Sequence, residues 1–202
     1  MDETILISTQ HRRREQALVF LARQTSGPTV SLTGAFRTLV KVAANCLMTE
    51  RVSIWLYNDP KDAIACEILY RRKLGSYTEG LVLTQERYPK YFEALEANRA
   101  VVANDVYTHP AMTEFKESYL LAEGITAMLD APIRRNGEVV GVLCHEHVGE
   151  GPRVWSASDA TFAASLADLV AMTLERDNVR QHALALAESE ARYELVVRGV
   201  RD

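Results

Sequence analysis

The sequence of 202 residues contains only three cysteines, and these lie far apart. Cys46, Cys66 and Cys144 form no C-x-x-C pair, and no histidines follow them at the spacing of a zinc finger. A disulfide framework and a structural zinc site are therefore not expected. We expect the three thiols to be reduced and to pack in the core.

Long apolar runs and an excess of basic residues are missing as well. The chain has no stretch of about 18 consecutive apolar residues, and its start does not resemble a signal peptide. Lys and Arg number 23 against 27 Asp and Glu, so the net charge of −4 does not favour binding to nucleic acid. We expect a cytoplasmic location, no membrane span in this segment and no nucleic-acid partner.

Catalytic signatures are also lacking. The sequence shows no Ser/His/Asp arrangement, no glycine-rich phosphate loop and no paired-carboxylate motif. Its 48% hydrophobic and 25% charged residues are typical of one globular core with an extension. The sequence therefore predicts one domain without catalytic activity.

Helical periodicity marks both ends of the chain. A short helix is predicted before Gly27-Pro28, and a second begins at the N-cap Ser31. Near the C-terminus, Ser156 and Asp159 form a capping box for a helix that meets no glycine or proline before Gly199. Six positions of this helix follow the spacing of a coiled-coil seam: Val179, His182, Leu186, Ser189, Tyr193 and Val196. We expect a projecting helix that dimerises the chain.

Alternating patterns between these helices predict an antiparallel sheet. Residues 51–57 and 64–70 form one predicted hairpin, and residues 125–134 and 138–148 form another. Asn136-Gly137 joins the second pair, a dipeptide typical of a type I′ turn. The intervening segment predicts short strands at 81–83 and 101–103 and helices at 91–98 and 113–124. The fold class is therefore α+β, with an insert over the sheet.

Several local strings occur in an order that resembles the GAF family of small-molecule sensory domains. The strongest is GEVVGVLCHEH at 137–147, followed by Pro152-Arg153-x-Trp155-x-x-x-Asp159-x-x-Phe162. ERVSIWLYND at 50–59 and ANDVYTHPAM at 103–112 are similar to earlier parts of the family. The string AESEARYELVV at 187–197 resembles the helix that leads into a PAS domain. These likenesses divide the chain into a leader (1–19), a GAF domain (20–175) and a helical linker to a PAS domain (176–202).

The GAF resemblance implies a PAS-related antiparallel sheet. Terminal helices would cover one face, and a ligand pocket would lie under the insert helices on the other. In β-strand 51–57, alternation combined with the resemblance directs Val52, Ile54 and Leu56 to the helices and the alternate residues to the pocket. The candidate ligand-binding residues are Ser53, Trp55, Tyr57, Arg71, Tyr91, Asp105, His109 and Met128.

The resemblance also implies a function. The expected role is a non-catalytic sensory domain of a bacterial signal-transduction protein, with an unknown small-molecule ligand and a homodimer formed through the terminal helices. A PAS domain and an output domain, commonly a histidine kinase or a cyclic-di-GMP enzyme, would follow in the same chain. One alternative is a ligand-free dimerisation module. A less favoured alternative is a thiol-dependent methionine sulfoxide reductase, since the cysteine spacing does not resemble that branch.

No cofactor is predicted. His109 could bind haem iron, but a lone histidine beside proline is more typical of a loop. His145 and His147 face the same side of a strand and could share a metal, yet surface or dimer-edge histidines are the favoured interpretation. Residues 87–123 have no cysteine for a bilin, and the N-K-x-x-F-x-x-x-D-E signature of cyclic-nucleotide binding is absent.

Overall fold

The computed structural model describes residues 3–27 and 29–199. The helices are α1 (Glu3–Thr25), α2 (Leu32–Leu47), α3 (Pro89–Ala97), α4 (Leu121–Glu123) and α5 (Ala157–Gly199). The strands are β1 (Arg51–Tyr57), β2 (Ala63–Arg71), β3 (Ser76–Thr78), β4 (Val82–Thr84), β5 (Val101–Ala103), β6 (Ile125–Arg135) and β7 (Glu138–Val148). A 3-10 turn (Pro110–Phe115) and a π-helical turn (Lys116–Leu120) lead into α4. None of the described helices combines the length and hydropathy needed to cross a membrane.

The strands form one antiparallel sheet in the order β3-β2-β1-β7-β6-β5, and β4 also pairs with β2. The predicted hairpin of β6 and β7 is confirmed. Asn136 and Gly137 have φ angles of 51° and 86°, as a type I′ turn requires. This hairpin supplies two of the central strands, so both faces of the sheet depend on its register.

One side of the sheet, the helical face, packs against α1, α2 and α5. Val52, Ile54 and Leu56 lie on this side, as predicted. The α2 N-cap is also confirmed, since Gly34 N donates to Ser31 Oγ over 3.1 Å. Further apolar side chains close this core, among them Phe36, Leu39, Leu129, Phe162, Leu166 and Val170. The apolar stripes of the helices are therefore buried where their periodicity placed them.

The opposite side, the lid face, is covered by α3 and by residues 110–123, which we call the lid segment. Trp55 and Tyr57 lie on this side, so the prediction for the two faces of β1 is confirmed. The lid segment was predicted as a helix over 113–124, but it changes from 3-10 to π to α geometry within 14 residues. Pro110 at its start and the left-handed Gly124 at its end confine it to a short span.

Three other expectations need correction. α1 is not short but has 23 residues, and Arg14 joins it to α5 by an ion pair with Asp159 and lies over the Phe162 ring. β3 was not predicted, since three residues are too few to show a period. His145 is fully buried on the helical face rather than exposed at the surface.

Gly141 is the tightest backbone approach in the sheet. A Cβ there would lie 2.2 Å from the carbonyl oxygen of Trp55 and 2.8 Å from Leu56 Cδ2. Replacing Gly141 by Ala should lower the free energy of unfolding by about 3 kcal/mol, because β1 must move away from β7. Urea denaturation measures the change. Gly151→Ala is the matched control, since no atom lies within 4 Å of its added Cβ, and equal stability of the two variants would contradict the prediction.

Candidate functional site

Two rows of polar side chains cross the lid face. In the first row, Arg51 of β1 is paired with Arg71 of β2 on one side and with Glu146 of β7 on the other. In the second row, Ser53 pairs with Cys144, which in turn pairs with Asp130 of β6. Side chains of directly paired residues share a face of the sheet, so these groups are neighbours beneath α3 and the lid segment.

Asp130 is the least satisfied of these groups. Its residue is 0% exposed. The Tyr91 hydroxyl donates a hydrogen bond of 2.7 Å to Oδ2, whereas Oδ1 has no hydrogen-bond partner of good geometry. The same hydroxyl lies 3.6 Å from Cys144 Sγ. A buried carboxylate with one hydrogen bond of good geometry is costly, so this position is not explained by packing alone.

Burial has the largest effect on Asp130 and raises the pKa of its carboxyl from 3.8 to about 7. The hydrogen bond from Tyr91 acts against this rise, as do weaker contacts from the Cys144 thiol and the His145 backbone, and the negative charge of Glu146 adds to it. Among the residues that the structure describes, no cation is hydrogen-bonded to Asp130, in contrast to Glu146, which accepts from Arg51. The Asp130 carboxyl is therefore close to half-protonated near neutral pH. It can donate a hydrogen bond in its protonated form and accept one in its ionised form.

Arg51 is the centre of a second polar cluster. Its Nε donates to Glu146 Oε2 over 2.6 Å, and its Nη2 donates to the Tyr119 hydroxyl over 2.8 Å. Tyr119 in turn donates to Glu146 Oε1 over 2.7 Å. Nη1 of Arg51 forms an ion pair with Glu123 at the end of the lid segment. Burial opposes the charge on Arg51, but Glu146 and Tyr119 reverse that effect and raise its pKa overall.

Aromatic side chains fill the space around these polar groups. Trp55 donates from Nε1 to Ser53 Oγ over 2.8 Å. Tyr88 and Phe115 stack with ring centroids 4.2 Å apart, and Tyr91 meets Phe115 edge-on at 4.9 Å. α3 and the lid segment are thus joined to each other by ring contacts. The result is a packed apolar layer around a few polar groups, a composition that small-molecule sites share.

The structure brings together four of the eight predicted site residues. Ser53, Trp55, Tyr91 and Met128 are buried on the lid face. Tyr57 is half-buried at its margin, where it meets Phe92 edge-on with ring centroids 5.6 Å apart. Their contact with a ligand stays a prediction.

The other three predicted residues are placed differently. Arg71 lies at the rim, 3.6 Å from Glu123. Asp105 and His109 instead stabilise turns of their own loop, since Asp105 accepts from Tyr107 N and His109 Nδ1 accepts from Ala111 N. Burial lowers the pKa of His109. Because Nδ1 accepts a hydrogen bond from the first turn of the lid segment, His109 acts as an N-cap.

Sequence reasoning missed Arg51, Tyr119, Asp130 and Glu146. Asp130 and Glu146 carried a usable signal, since each interrupts a strand that is otherwise buried over most of its length. A charged residue inside such a strand is either paired or functional. Arg51 and Tyr119 carried no such signal, because a strand terminus and a polar helix are ordinary places for them.

Two histidines and two cysteines of the strands have defined contacts or are buried. His145 Nδ1 is 2.8 Å from Leu129 O, and burial lowers its pKa to about 4. His147 Nδ1 is 2.8 Å from a carboxylate oxygen of Glu50. Burial raises the pKa of the Cys66 thiol to about 12 and that of Cys144 well above its ordinary value. Within the described part of the chain, no three His, Cys, Asp or Glu residues are grouped as metal ligands.

Comparison with known proteins assigns the fold. The sequence model described as GAF domain matches residues 31–174. Among proteins of curated function, none matches the sequence significantly.

Solved structures agree with the family match. The GAF domain of a phosphoenolpyruvate-protein phosphotransferase from Acinetobacter is 15% identical, with a TM-score of 0.66, and the match covers 89% of this chain and 97% of that one. The phycocyanobilin-bound GAF domain of a cyanobacterial phytochrome is 18% identical, with a TM-score of 0.69 and coverage of 84% and 97%. Free methionine-R-sulfoxide reductase from Neisseria meningitidis, in complex with its substrate, is 15% identical, with a TM-score of 0.61 and coverage of 80% and 88%. Likeness at this identity extends to the fold alone.

The raised pKa of Asp130 predicts a pH-dependent stability. Between about pH 4 and pH 7 the folded chain holds a proton on Asp130 that the unfolded chain releases, so this group's contribution to stability falls as the pH rises and is constant above about 7. Asp130→Asn removes the titration. The free energy of unfolding of the variant, relative to wild type, should therefore rise by about 1 kcal/mol per pH unit across this window.

Urea denaturation at pH 5, 6, 7 and 8 measures that difference. Asp59→Asn, at an exposed position, is the control and should show no such slope. A difference between Asp130→Asn and wild type that stays constant with pH would contradict the assignment.

Proposed function

We propose that this chain, which belongs to the GAF domain family, is a non-catalytic sensory domain of a bacterial signal-transduction protein. It binds a small molecule between the lid face and the cover made by α3 and the lid segment. α5 then transmits the change, in a dimer, to a PAS domain and an output domain such as a histidine kinase or a cyclic-di-GMP enzyme. The protein acts in the cytoplasm.

The observation that carries this proposal is the fully buried Asp130, whose Oδ1 finds no hydrogen bond of good geometry among the described residues. A domain used only for packing gains nothing from a carboxylate at the centre of its sheet, because an apolar residue of similar size avoids the desolvation cost. A ligand with a hydrogen-bond donor would satisfy that oxygen. Tyr91 and Trp55 would form the walls beside it.

The sheet provides a route from this site to α5. On β6, Asp130 faces the lid, while its neighbours Leu129 and Ala131 lie in the same core cluster as Leu166 and Val170 of α5. A shift of β6 on ligand binding therefore changes the surface on which α5 rests. If one placement of α5 is favoured by the ligand, the signal is a population shift between two placements.

A second candidate function is a ligand-free dimerisation module. It is favoured by the aromatic side chains of the lid face, since Trp55, Tyr91 and Phe92 are each at most 2% exposed and Tyr88 stacks on Phe115. A reductase is less favoured. The Cys66 and Cys144 thiols are buried with raised pKa values, whereas a nucleophilic thiol needs a lowered one.

Native mass spectrometry of freshly purified protein, with an absorption spectrum of the same sample, tests the sensor proposal. We expect a dimer that carries an added small mass. Asp130→Asn should lose that mass while remaining folded, and Asp59→Asn should retain it. Bare dimers in all three samples, with no rise in melting temperature across a panel of small metabolites, would favour the dimerisation module instead.

The dimer is tested on the projecting part of α5. Val179 and Leu186 of the proposed seam are 59% and 62% exposed in the single chain, and Tyr193 and Val196 lie beyond the described side chains. Leu186→Glu should raise the dimer dissociation constant at least about tenfold, because a charge in an apolar seam must be desolvated. Sedimentation equilibrium measures this change.

Leu184→Glu is the matched control, since Leu184 is 54% exposed on the opposite side of the same helix. It should leave the dimer intact. A dimer unaffected by Leu186→Glu, or weakened equally by Leu184→Glu, would show that the seam is not the interface.

A further inference from the structure

Two arginines lie directly opposite each other on the lid face. Arg51 of β1 and Arg71 of β2 are paired residues of an antiparallel ladder, so their side chains leave the sheet on the same side. Like charges in this arrangement repel each other and destabilise the strand pair. The arrangement persists only if anionic groups lie beside both guanidinium groups.

Two carboxylates supply that negative charge, and they come from different parts of the fold. Glu146 belongs to the sheet, is buried, and is hydrogen-bonded to Arg51 and Tyr119. Glu123 belongs to the lid segment, and a single oxygen, Oε2, contacts both Arg51 and Arg71. Glu146 thus contacts Arg51 from within the sheet, whereas Glu123 contacts both arginines from the cover.

The position of Glu123 is accessible from solvent. Its side chain is 34% exposed and that of Arg71 is 28% exposed, whereas that of Arg51 is 5% exposed. With Glu123 in place, the four groups Arg51, Arg71, Glu146 and Glu123 sum to zero charge. Without it, one positive charge is left at a partly buried site that has two converging guanidinium groups.

We infer that Arg51 and Arg71 form a binding site for an anionic group, a carboxylate or a phosphate, and that Glu123 occupies this site as a tethered competitor. An anion that enters takes the place of Glu123 between the two guanidinium groups. The lid segment then loses the ion pairs of Glu123, and its attachment to the sheet rests on the hydrogen bonds of Tyr119 and on apolar contacts. This inference rests on the sensory role proposed above and deepens it. It assigns an anionic group to the ligand and links ligand binding to the lid segment through the displacement of Glu123.

Competition by Glu123 predicts a measurable change in anion affinity when its charge is removed. A tethered carboxylate acts at an effective concentration in the millimolar range or above, so its removal should tighten binding of a free anion about tenfold. Glu123→Gln removes the charge and keeps the shape of the side chain. Its affinities for inorganic phosphate and for acetate at pH 7 and constant ionic strength are compared with those of wild type, by NMR titration of the arginine Nε–H signals.

Glu117→Gln is the matched control. Glu117 lies on the π-helical turn of the same lid segment and is exposed, so its variant should bind both probes as wild type does. The double variant Glu123→Gln/Arg71→Gln should lose the gain, since one of the two guanidinium groups is absent. A larger gain for phosphate than for acetate, or the reverse, identifies which anion the site prefers.

Two outcomes would overturn the inference. One is equal affinity in wild type and Glu123→Gln for both probes. The other is a gain that survives loss of Arg71, which would place the anion elsewhere. Melting curves of each variant establish that it is folded. This titration and the native mass spectrum test different proposals. If the purified protein carries no ligand but Glu123→Gln still binds phosphate more tightly than wild type, the anion site is supported and the sensory role is not.

Discussion

Arg51 is buried on the lid face, and a buried guanidinium group must be neutralised where it lies. The three groups that do so come from three elements: Glu146 from β7, Tyr119 from the π-helical turn and Glu123 from α4. Removing Glu146, the buried carboxylate partner, costs about 3–5 kcal/mol, because the charge of Arg51 is left without that compensation. The cover of the lid face is therefore joined to the sheet by charge as well as by apolar contact.

The two faces of the sheet differ in chemistry for a physical reason. The helical face is closed by long amphipathic helices, and its buried His145 contacts the Leu129 carbonyl through Nδ1, whereas Nε2 has no hydrogen-bond partner among the described residues. The lid face is closed by short elements that cannot supply a continuous apolar surface. Polar groups can exist there because Arg51, Tyr91 and Tyr119 satisfy most of them, and within the described part of the chain Asp130 Oδ1 is left without a hydrogen bond of good geometry.

Family membership and the geometry of this chain answer different questions. The match to the GAF domain family and the solved structures establishes the architecture. The likenesses to a bilin-bound domain and to a reductase do not transfer a ligand or a reaction, since the identities are 18% and 15%. The function proposed for this chain rests on the contacts of its own side chains, among them Asp130, Arg51 and Arg71.

Local pattern was sufficient for most of the fold. The type I′ turn at Asn136-Gly137, the cap at Ser31 and the two faces of β1 depend on neighbouring residues and a fixed period, so the amino-acid sequence determined them by itself. The site could be predicted only in part, as a set of residues on one face that included Trp55 and Tyr91. Tertiary structure alone decided that Arg51 meets Glu123 and Glu146, partners 72 and 95 residues away. Periodicity shows which side of a strand a residue faces, whereas the partner of a buried charge depends on strand order and on where the cover folds back.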